Sequence, residues 1–456
     1  MTAQPSTSAT GATGVAPTGR GALDALAARP ISIVTEPPGP RAREMIARAL
    51  PHMSPSLIHC YPLMVRRASG CMVEDFDDNV YLDAEAGVAT ASTGHCHPAV
   101  AEAIAAQAEV LIHICGTDFH YPGYGAICEK LGALVQRIGP NGHHWQTFLT
   151  NSGTEAVEAA IKLARHHTGR PGLIAFKGGF HGRTLGSLSL TASKSKYRRR
   201  FGPLLPGVHH ATYGDAASVE ELFTTVTAGD DVAAIFVEPV LGEGGYVVPP
   251  PDFLPRLRAI ADRHGALLVF DEVQSGMGRT GKMFAAEHTG VVPDIVLAAK
   301  GIASGMPLGA MIARKDVMTW PAGSHGSTIA GNPVAIAAGL ATIDLLEKEL
   351  VANSARVGAS LKATLAEKLA RETIVTEIRG VGLMIGVELA TPELAGAVAQ
   401  LCFKRGLLLL ECGKKAIRFS PPLIINDAQA GVAAEVFAAA CRDARERETA
   451  GRGASP

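Results

Sequence analysis

Six short, largely apolar runs, at 146–150, 173–176, 232–237, 266–271, 294–298 and 308–313, punctuate the middle of the chain, and helical patterns at 155–167, 216–228 and 252–264 fall among them. Runs that stay apolar instead of alternating suit strands buried on both faces. A crossover helix returns the chain to run in the same direction, so the alternation predicts an α/β fold with a mainly parallel sheet covered on both sides. In such sheets the binding groups collect beyond the carboxyl ends of the strands.

Two of those ends carry unusual residues. The run Ala-Leu-Leu-Val-Phe-Asp-Glu-Val-Gln-Ser-Gly (266–276) finishes on Asp271, and Pro-Asp-Ile-Val-Leu-Ala-Ala-Lys-Gly-Ile (293–302) places Lys300 among apolar and small residues. Desolvation disfavours an ammonium ion, so such a lysine is driven toward its neutral form, which attacks carbonyls. Alone, Lys300 suits a side chain snorkelling to solvent and Asp271 suits a turn cap. Together they match what pyridoxal phosphate needs: an amine for its aldehyde and an acid beside its ring nitrogen.

That pairing calls for a phosphate cradle. Strand, Ser-Gly-Thr turn and helix follow one another in Trp-Gln-Thr-Phe-Leu-Thr-Asn-Ser-Gly-Thr-Glu-Ala-Val (145–157). Ser152, Gly153 and Thr154 can offer helix-end amides to an anion, and with Glu155 they equally form an ordinary N-cap. Gly-Gly-Phe-His-Gly-Arg-Thr (178–184) sets Phe180 on a glycine-rich turn, where its ring can stack on a flat ligand or fill the core.

These motifs, with Gly-His-Cys-His-Pro (94–98), Val-Glu-Pro-Val-Leu-Gly-Glu-Gly-Gly (237–245) and His-Gly-Ser-Thr-Ile-Ala-Gly-Asn-Pro (325–333), occur in one order over about 35–436. The chain resembles the class III aminotransferases of fold type I, in the 4-aminobutyrate, ornithine and acetylornithine group. The resemblance implies a large domain with a mainly parallel seven-stranded sheet and a smaller α+β domain. It implies that Ser152, Gly153 and Thr154 hold the cofactor phosphate, that Phe180 and Val273 cover the two ring faces, and that His181 and Glu238 belong to the cofactor site. Asp271 would face the ring nitrogen, Gln274 the phenolic oxygen, and Lys300 would form the Schiff base. Thr328 would reach the phosphate of a partner subunit, which implies a homodimer, or a tetramer built from dimers, with its active site at the interface. The aromatic residue common after that threonine is Ile329 here.

Arginine recognises carboxylates through a planar fork. By the same resemblance Arg418 would bind an α-carboxylate, Arg183 a distal one, and Glu243 would pair with Arg418 when the amine lacks an α-carboxylate. This set implies ping-pong transfer from an ω-amino or diamino acid, such as 4-aminobutyrate or ornithine, to 2-oxoglutarate. An amino-acid racemase or epimerase on the same scaffold is the alternative; it needs a proton donor on the opposite face, and no residue identifies itself for that role. A non-catalytic cofactor-binding regulator is disfavoured, since neither end carries a recognisable DNA-binding module.

A formal net charge of −1 over 456 residues gives no general attraction to nucleic acid or anionic membranes. The basic run Lys-Ser-Lys-Tyr-Arg-Arg-Arg (194–200) reads as a solvated loop. No apolar run reaches the roughly 18 residues of a membrane span. Eight cysteines without a Cys-x-x-Cys pattern suit reduced thiols in a cytoplasm, and the histidine pairs lack the further ligands of a metal site. Residues 1–30, rich in Ala, Thr, Ser, Gly and Pro, read as a disordered tail in preference to a transit peptide. The resemblance further implies that residues 31–100 and 334–441 form the small domain and 101–333 the large one, while 442–456 read as a frayed charged tail.

Lys300→Ala is expected to purify without the visible absorbance of a lysine-bound cofactor and to lose amino-group transfer. Full activity in that variant would end this reading of Lys300.

Overall fold

The computed structural model describes residues 19–140 and 142–453. Its strands are β1 (Val65–Ser69), β2 (Met72–Asp75), β3 (Val80–Asp83), β4 (Trp145–Thr150), β5 (Gly172–Phe176), β6 (Val208–Ala211), β7 (Val232–Val237), β8 (Leu267–Asp271), β9 (Ile295–Ala298), β10 (Gly309–Arg314), β11 (Val375–Val381), β12 (Met384–Leu389), β13 (Leu407–Leu408), β14 (Leu410–Cys412) and β15 (Ala416–Phe419). Seven of them make the central sheet, in the order β4-β10-β9-β8-β7-β5-β6.

Every residue of β5, β7, β8 and β9 is buried, as continuous apolar runs require. These strands pair in parallel, while β10 runs antiparallel to both β9 and β4. The reason lies in the connection: only 299–308 separate β9 from β10, too short for the crossover that parallel pairing needs. The edge strand β6 was not legible as an apolar run, because His209 and His210 interrupt it. Its first three residues are only half-buried, so polar side chains are tolerated there.

The helix Gly153–Thr168 buries seven small and aliphatic residues and closes on Gly169 at φ +70°. The helix Phe253–His264 closes the same way on Gly265 at φ +63°. Both use glycine because a side chain resists the left-handed cap.

Two four-stranded sheets flank this body. One has the order β1-β2-β3-β13, in which Leu407 and Leu408 pair in parallel with Leu82 and Asp83 and so tie chain segments far apart in sequence. The other, β11-β12-β15-β14, is antiparallel. The stretch around 407–411 thus divides between two sheets. No helix among the described residues is long and apolar enough to cross a membrane.

Both tails need correction. Residues 1–18 lie outside the described residues, but Arg20–Ala27 is a helix. Leu26 is buried, and Arg20 both pairs with Asp24 and donates to the Cys96 carbonyl at 3.0 Å, which holds the helix against the body. At the other end one helix runs from Asp427 to Gly453. Ala444 is buried, Arg405 pairs with Asp443 at 2.5 Å and Arg445 with Glu372 at 2.9 Å, so the charges dock the helix instead of fraying it.

Gly358, within the helix Val351–Leu369, packs against the β11–β12 turn so closely that a Cβ would lie 2.1 Å from the Gly382 carbonyl oxygen. Alanine favours helix by up to about 1 kcal/mol, yet Gly358→Ala is expected to destabilise by roughly 1–3 kcal/mol because backbone must move. A urea midpoint at or above that of the parent chain would refute this contact.

Candidate active site

Parallel strands end on one side of the sheet, and there the segments after β4, β5, β7, β8 and β9 enclose a cavity of about 390 Å³. Ser152, Gly153, Thr154, Phe180, His181, Arg183, Glu238, Asp271, Val273, Gln274 and Lys300 all line it. Asn151, within the 145–157 motif but not singled out there, lines it too, as do Thr90, Met306 and Leu308, which no motif marked.

Lys300 sits in left-handed backbone, φ +41°, at the start of the β9–β10 turn, and Ser304 follows at φ +45°. A non-glycine residue there costs roughly 1–2 kcal/mol and persists only where its surroundings fix it. They do: Ser92 Oγ donates to the Gly301 carbonyl at 2.8 Å, and Thr93 and Thr342 donate to Ser304 Oγ at 2.9 and 3.2 Å. Burial lowers the pKa of the Lys300 amine, against the opposing pull of the Glu243 and Asp271 carboxylates.

Asp271 Oδ2 lies 2.7 Å from His181 Nδ1, and its Oδ1 accepts from the Val273 amide at 3.1 Å. Burial opposes charge on His181, but the hydrogen bond and the carboxylates of Asp271 and Glu238 outweigh it and raise the imidazole pKa. The contact with His181 fixes the orientation of the Asp271 carboxyl group. Glu238 accepts from the Phe180 and Gly242 amides, both at 2.8 Å, which ties two cavity loops together. Burial pushes its pKa up to about 7.

The first-turn amides of the helix that starts at Gly153 have no helical acceptors, and Ser152, Gly153 and Thr154 line the cavity there. Ser152 is the N-cap, accepting from Glu155 N at 3.4 Å, so the ordinary capping reading of this turn is realised. Gly153 is required by close approach: a Cβ would stand 2.8 Å from Val273 Cγ1. Thr154 Oγ1 bonds Ser187 Oγ at 2.6 Å and Thr184 Oγ1 at 2.8 Å, and Glu158 binds both Thr184 Oγ1 and the Ser187 amide. Hydroxyls this common in sequence gave no signal of that network.

Gln274 Oε1 is buried without a partner. A flat heteroaromatic phosphate carrying an aldehyde suits this set of groups: amides for the phosphate, Phe180 and Val273 for the faces, Asp271 for a ring N–H, Gln274 for a ring oxygen and Lys300 for the aldehyde. The exposed Arg183 stacks on the Tyr197 ring, 3.8 Å from its centroid, and pairs with no acid among the described residues.

Three expected residues lie off the cavity wall. Arg418, on β15, and Glu243, in the 241–247 loop, form a buried ion pair. Burial disfavours charge on both, yet each holds the other ionised: the Arg418 pKa rises and that of Glu243 falls. Thr328 is exposed, beside Ile329, which is 56% exposed.

Residues 54–441 match the model of the family described as aminotransferase class-III. An acetylornithine aminotransferase of Methanopyrus kandleri is 44% identical over 80% of this chain and 91% of its own. An alanine/serine racemase of Pyrococcus horikoshii is 37% identical over 90% and 92%. Among solved structures, an ornithine aminotransferase of Toxoplasma gondii, with partial occupancy of PLP at its active site, superposes with TM-score 0.82 at 30% identity, over 89% of this chain and 96% of that one.

Because its pKa is lowered, Lys300 reaches its neutral form at a lower pH than exposed lysines do. In cofactor-free protein it is expected to be the lysine most rapidly trapped by a small aromatic aldehyde and borohydride near pH 8, with labelling that levels off below the usual lysine range near pH 10.4. Peptide mass spectrometry showing surface lysines labelled first would contradict this.

Proposed function

The chain belongs to the class III aminotransferases, which transfer amino groups with pyridoxal phosphate, and we propose that its donor is an ω-amino or diamino acid of the 4-aminobutyrate or ornithine kind and its acceptor 2-oxoglutarate. The observation that carries this reading is the buried pair of Arg418 and Glu243. Removing one partner of such a pair strands a buried charge, so a ligand must replace what it displaces. An α-carboxylate replaces Glu243 on Arg418; an amine without one leaves the pair closed. The acetylornithine and ornithine enzymes among the relatives support an amine remote from the α-carbon.

Ser152, Gly153 and Thr154 would hold the phosphate, Phe180 and Val273 the ring faces, Gln274 the phenolic oxygen and Asp271, oriented by His181, the ring nitrogen. Bound there, pyridoxal phosphate supplies an aldehyde for the amino group and a ring that draws electrons from the adjacent carbon. Lys300 would hold the aldehyde, and its Nζ, inclined to the neutral form by burial, would accept the proton from the substrate carbon bearing the amine. Arg183 binds the distal carboxylate of the acceptor, held in plane by Tyr197.

The exposure of Thr328 supports a homodimer in which it completes the partner's phosphate site. We place the small lobe in 31–100 and 334–441, the large lobe in 101–333, and the enzyme in the cytoplasm. The racemase relative supports a second reading, amino-acid racemisation, which the Arg418–Glu243 pair disfavours: every racemase substrate carries an α-carboxylate, so the closed pair would serve no substrate.

Half-reaction spectra over a panel of amines, with chiral analysis of recovered amino acids, test the function. Conversion of an L- to a D-amino acid without an oxo-acid acceptor would favour the racemase. Arg183→Ala is expected to lower kcat/KM for 2-oxoglutarate by about 10- to 100-fold, the worth of a charge-assisted pair, and to change that for pyruvate far less. Equal losses for both acceptors would remove Arg183 from distal-carboxylate recognition.

A further inference from the structure

Glu243 owes its place to a small loop seated in a notch of the β11-β12-β15-β14 sheet. Leu241 and Val247 pair across the base of that loop. Three residues stand in line across adjacent strands beneath it: Arg379 on β11 opposite Gly386 on β12, and Gly386 opposite Arg418 on β15. Directly opposed residues point to the same face of a sheet. The middle position has no side chain, and the loop rests there: a Cβ on Gly386 would lie 3.0 Å from the Gly245 carbonyl oxygen and 3.2 Å from Tyr246 Cβ.

The two arginines grip the loop from either side of this notch. Arg418 pairs with the Glu243 carboxylate, and Arg379 Nε donates to the Gly245 carbonyl at 2.9 Å. Arg379 is itself fixed, its Nη1 paired with Glu377 at 2.6 Å and with Glu388, and Lys415 braces Glu388 at 3.4 Å. A third tether, from the Gly413 amide to the Glu243 carbonyl at 2.8 Å, leaves the carboxylate free to face Arg418. Tyr246 anchors the loop's far end in a buried cluster with Val240, Ala285 and Met384, whereas on the Arg379 side, at Gly244 and Val247, a cavity of about 680 Å³ opens and leaves Arg379 as the tether there.

We propose that Arg379 is a positioning residue that seats the 241–247 loop in the Gly386 notch, and so sets how readily an α-carboxylate displaces Glu243 from Arg418. This rests on the reading of Arg418 and Glu243 above. Arg379 touches neither substrate nor cofactor; it tunes the choice between donors with and without an α-carboxylate. Loosening the loop weakens the competitor for Arg418. Glutamate then gains and 4-aminobutyrate, which needs Arg418 neutralised, loses.

The test compares kcat/KM for glutamate and 4-aminobutyrate in the holoenzyme, Arg379→Lys, Glu243→Gln and the double variant, with thermal melts of each. Arg379→Lys keeps the charge beside Glu377 and Glu388 but loses the Nε donor to the Gly245 carbonyl. The ratio is expected to move toward glutamate by roughly fivefold, about the worth of one hydrogen bond, through a lower KM at unchanged kcat. In the Glu243→Gln background the same change should have no further effect, since coupled residues are not additive. Gly386→Ala, which presses the loop off from the opposite side, should shift the ratio the same way and serves if Arg379→Lys fails to fold. An unchanged ratio in Arg379→Lys, or a shift that persists without Glu243, overturns the proposal while leaving the Arg418–Glu243 reading intact. An unchanged ratio in Glu243→Gln itself overturns both.

Discussion

Parallel pairing of buried strands is the constraint on which the site depends. Because β4, β5, β7, β8 and β9 all point one way, the segments that follow them open on the same side of the sheet. Residues from 152 to 300 therefore meet around one cavity without any long excursion of the chain. The antiparallel β10 contributes as well. Its short return from β9 puts Lys300 in a tight turn, which has no room for relaxed backbone.

Charge within that enclosure is balanced by position. Asp271, Glu238 and Glu243 stand against His181, Lys300 and Arg418, and burial penalises the ionised form of each group it acts on. The outcomes differ because the partners differ. His181 gains a direct contact with Asp271, and its pKa rises; Lys300 sits near carboxylates without so close a partner, and burial wins. Arg418 and Glu243 are coupled tightly enough to hold both charges. The cavity thus holds an imidazole whose pKa is raised and an amine inclined to neutrality, and off its wall a guanidinium is held by a carboxylate.

What was legible in the sequence follows from what was local. The apolar runs gave the buried strands, and the residues just past their ends gave most of the cavity wall, since adjacency in sequence there is adjacency in space. β6 was missed because an edge strand with His209 and His210 has no apolar signature. Thr93, Ser304 and Thr342, which fix the turn at Lys300, come from three separated segments, and serine and threonine are too common to announce such a role. The helices at 20–27 and 442–453 escaped for a different reason. Their stability comes from docking against residues such as Cys96, Glu372 and Arg405, and composition alone reads such segments as solvated.

Glycine illustrates the same limit. Gly153 and Gly386 both act through what they lack, one admitting Val273 beside the helix end and the other admitting a loop onto a sheet. Gly153 could be noticed because it lies in a turn next to a polar cluster. Gly386 sits mid-strand, where glycine ordinarily reads as a weak point. Only the register, which brings Arg379 and Arg418 to either side of it, turns that weakness into a seat for the loop that carries Glu243. On the proposed reading of Glu243, specificity extends beyond the cavity wall to the sheet behind it, because the loop that carries this acid is tethered through its Gly245 and Glu243 carbonyls to Arg379 and Gly413.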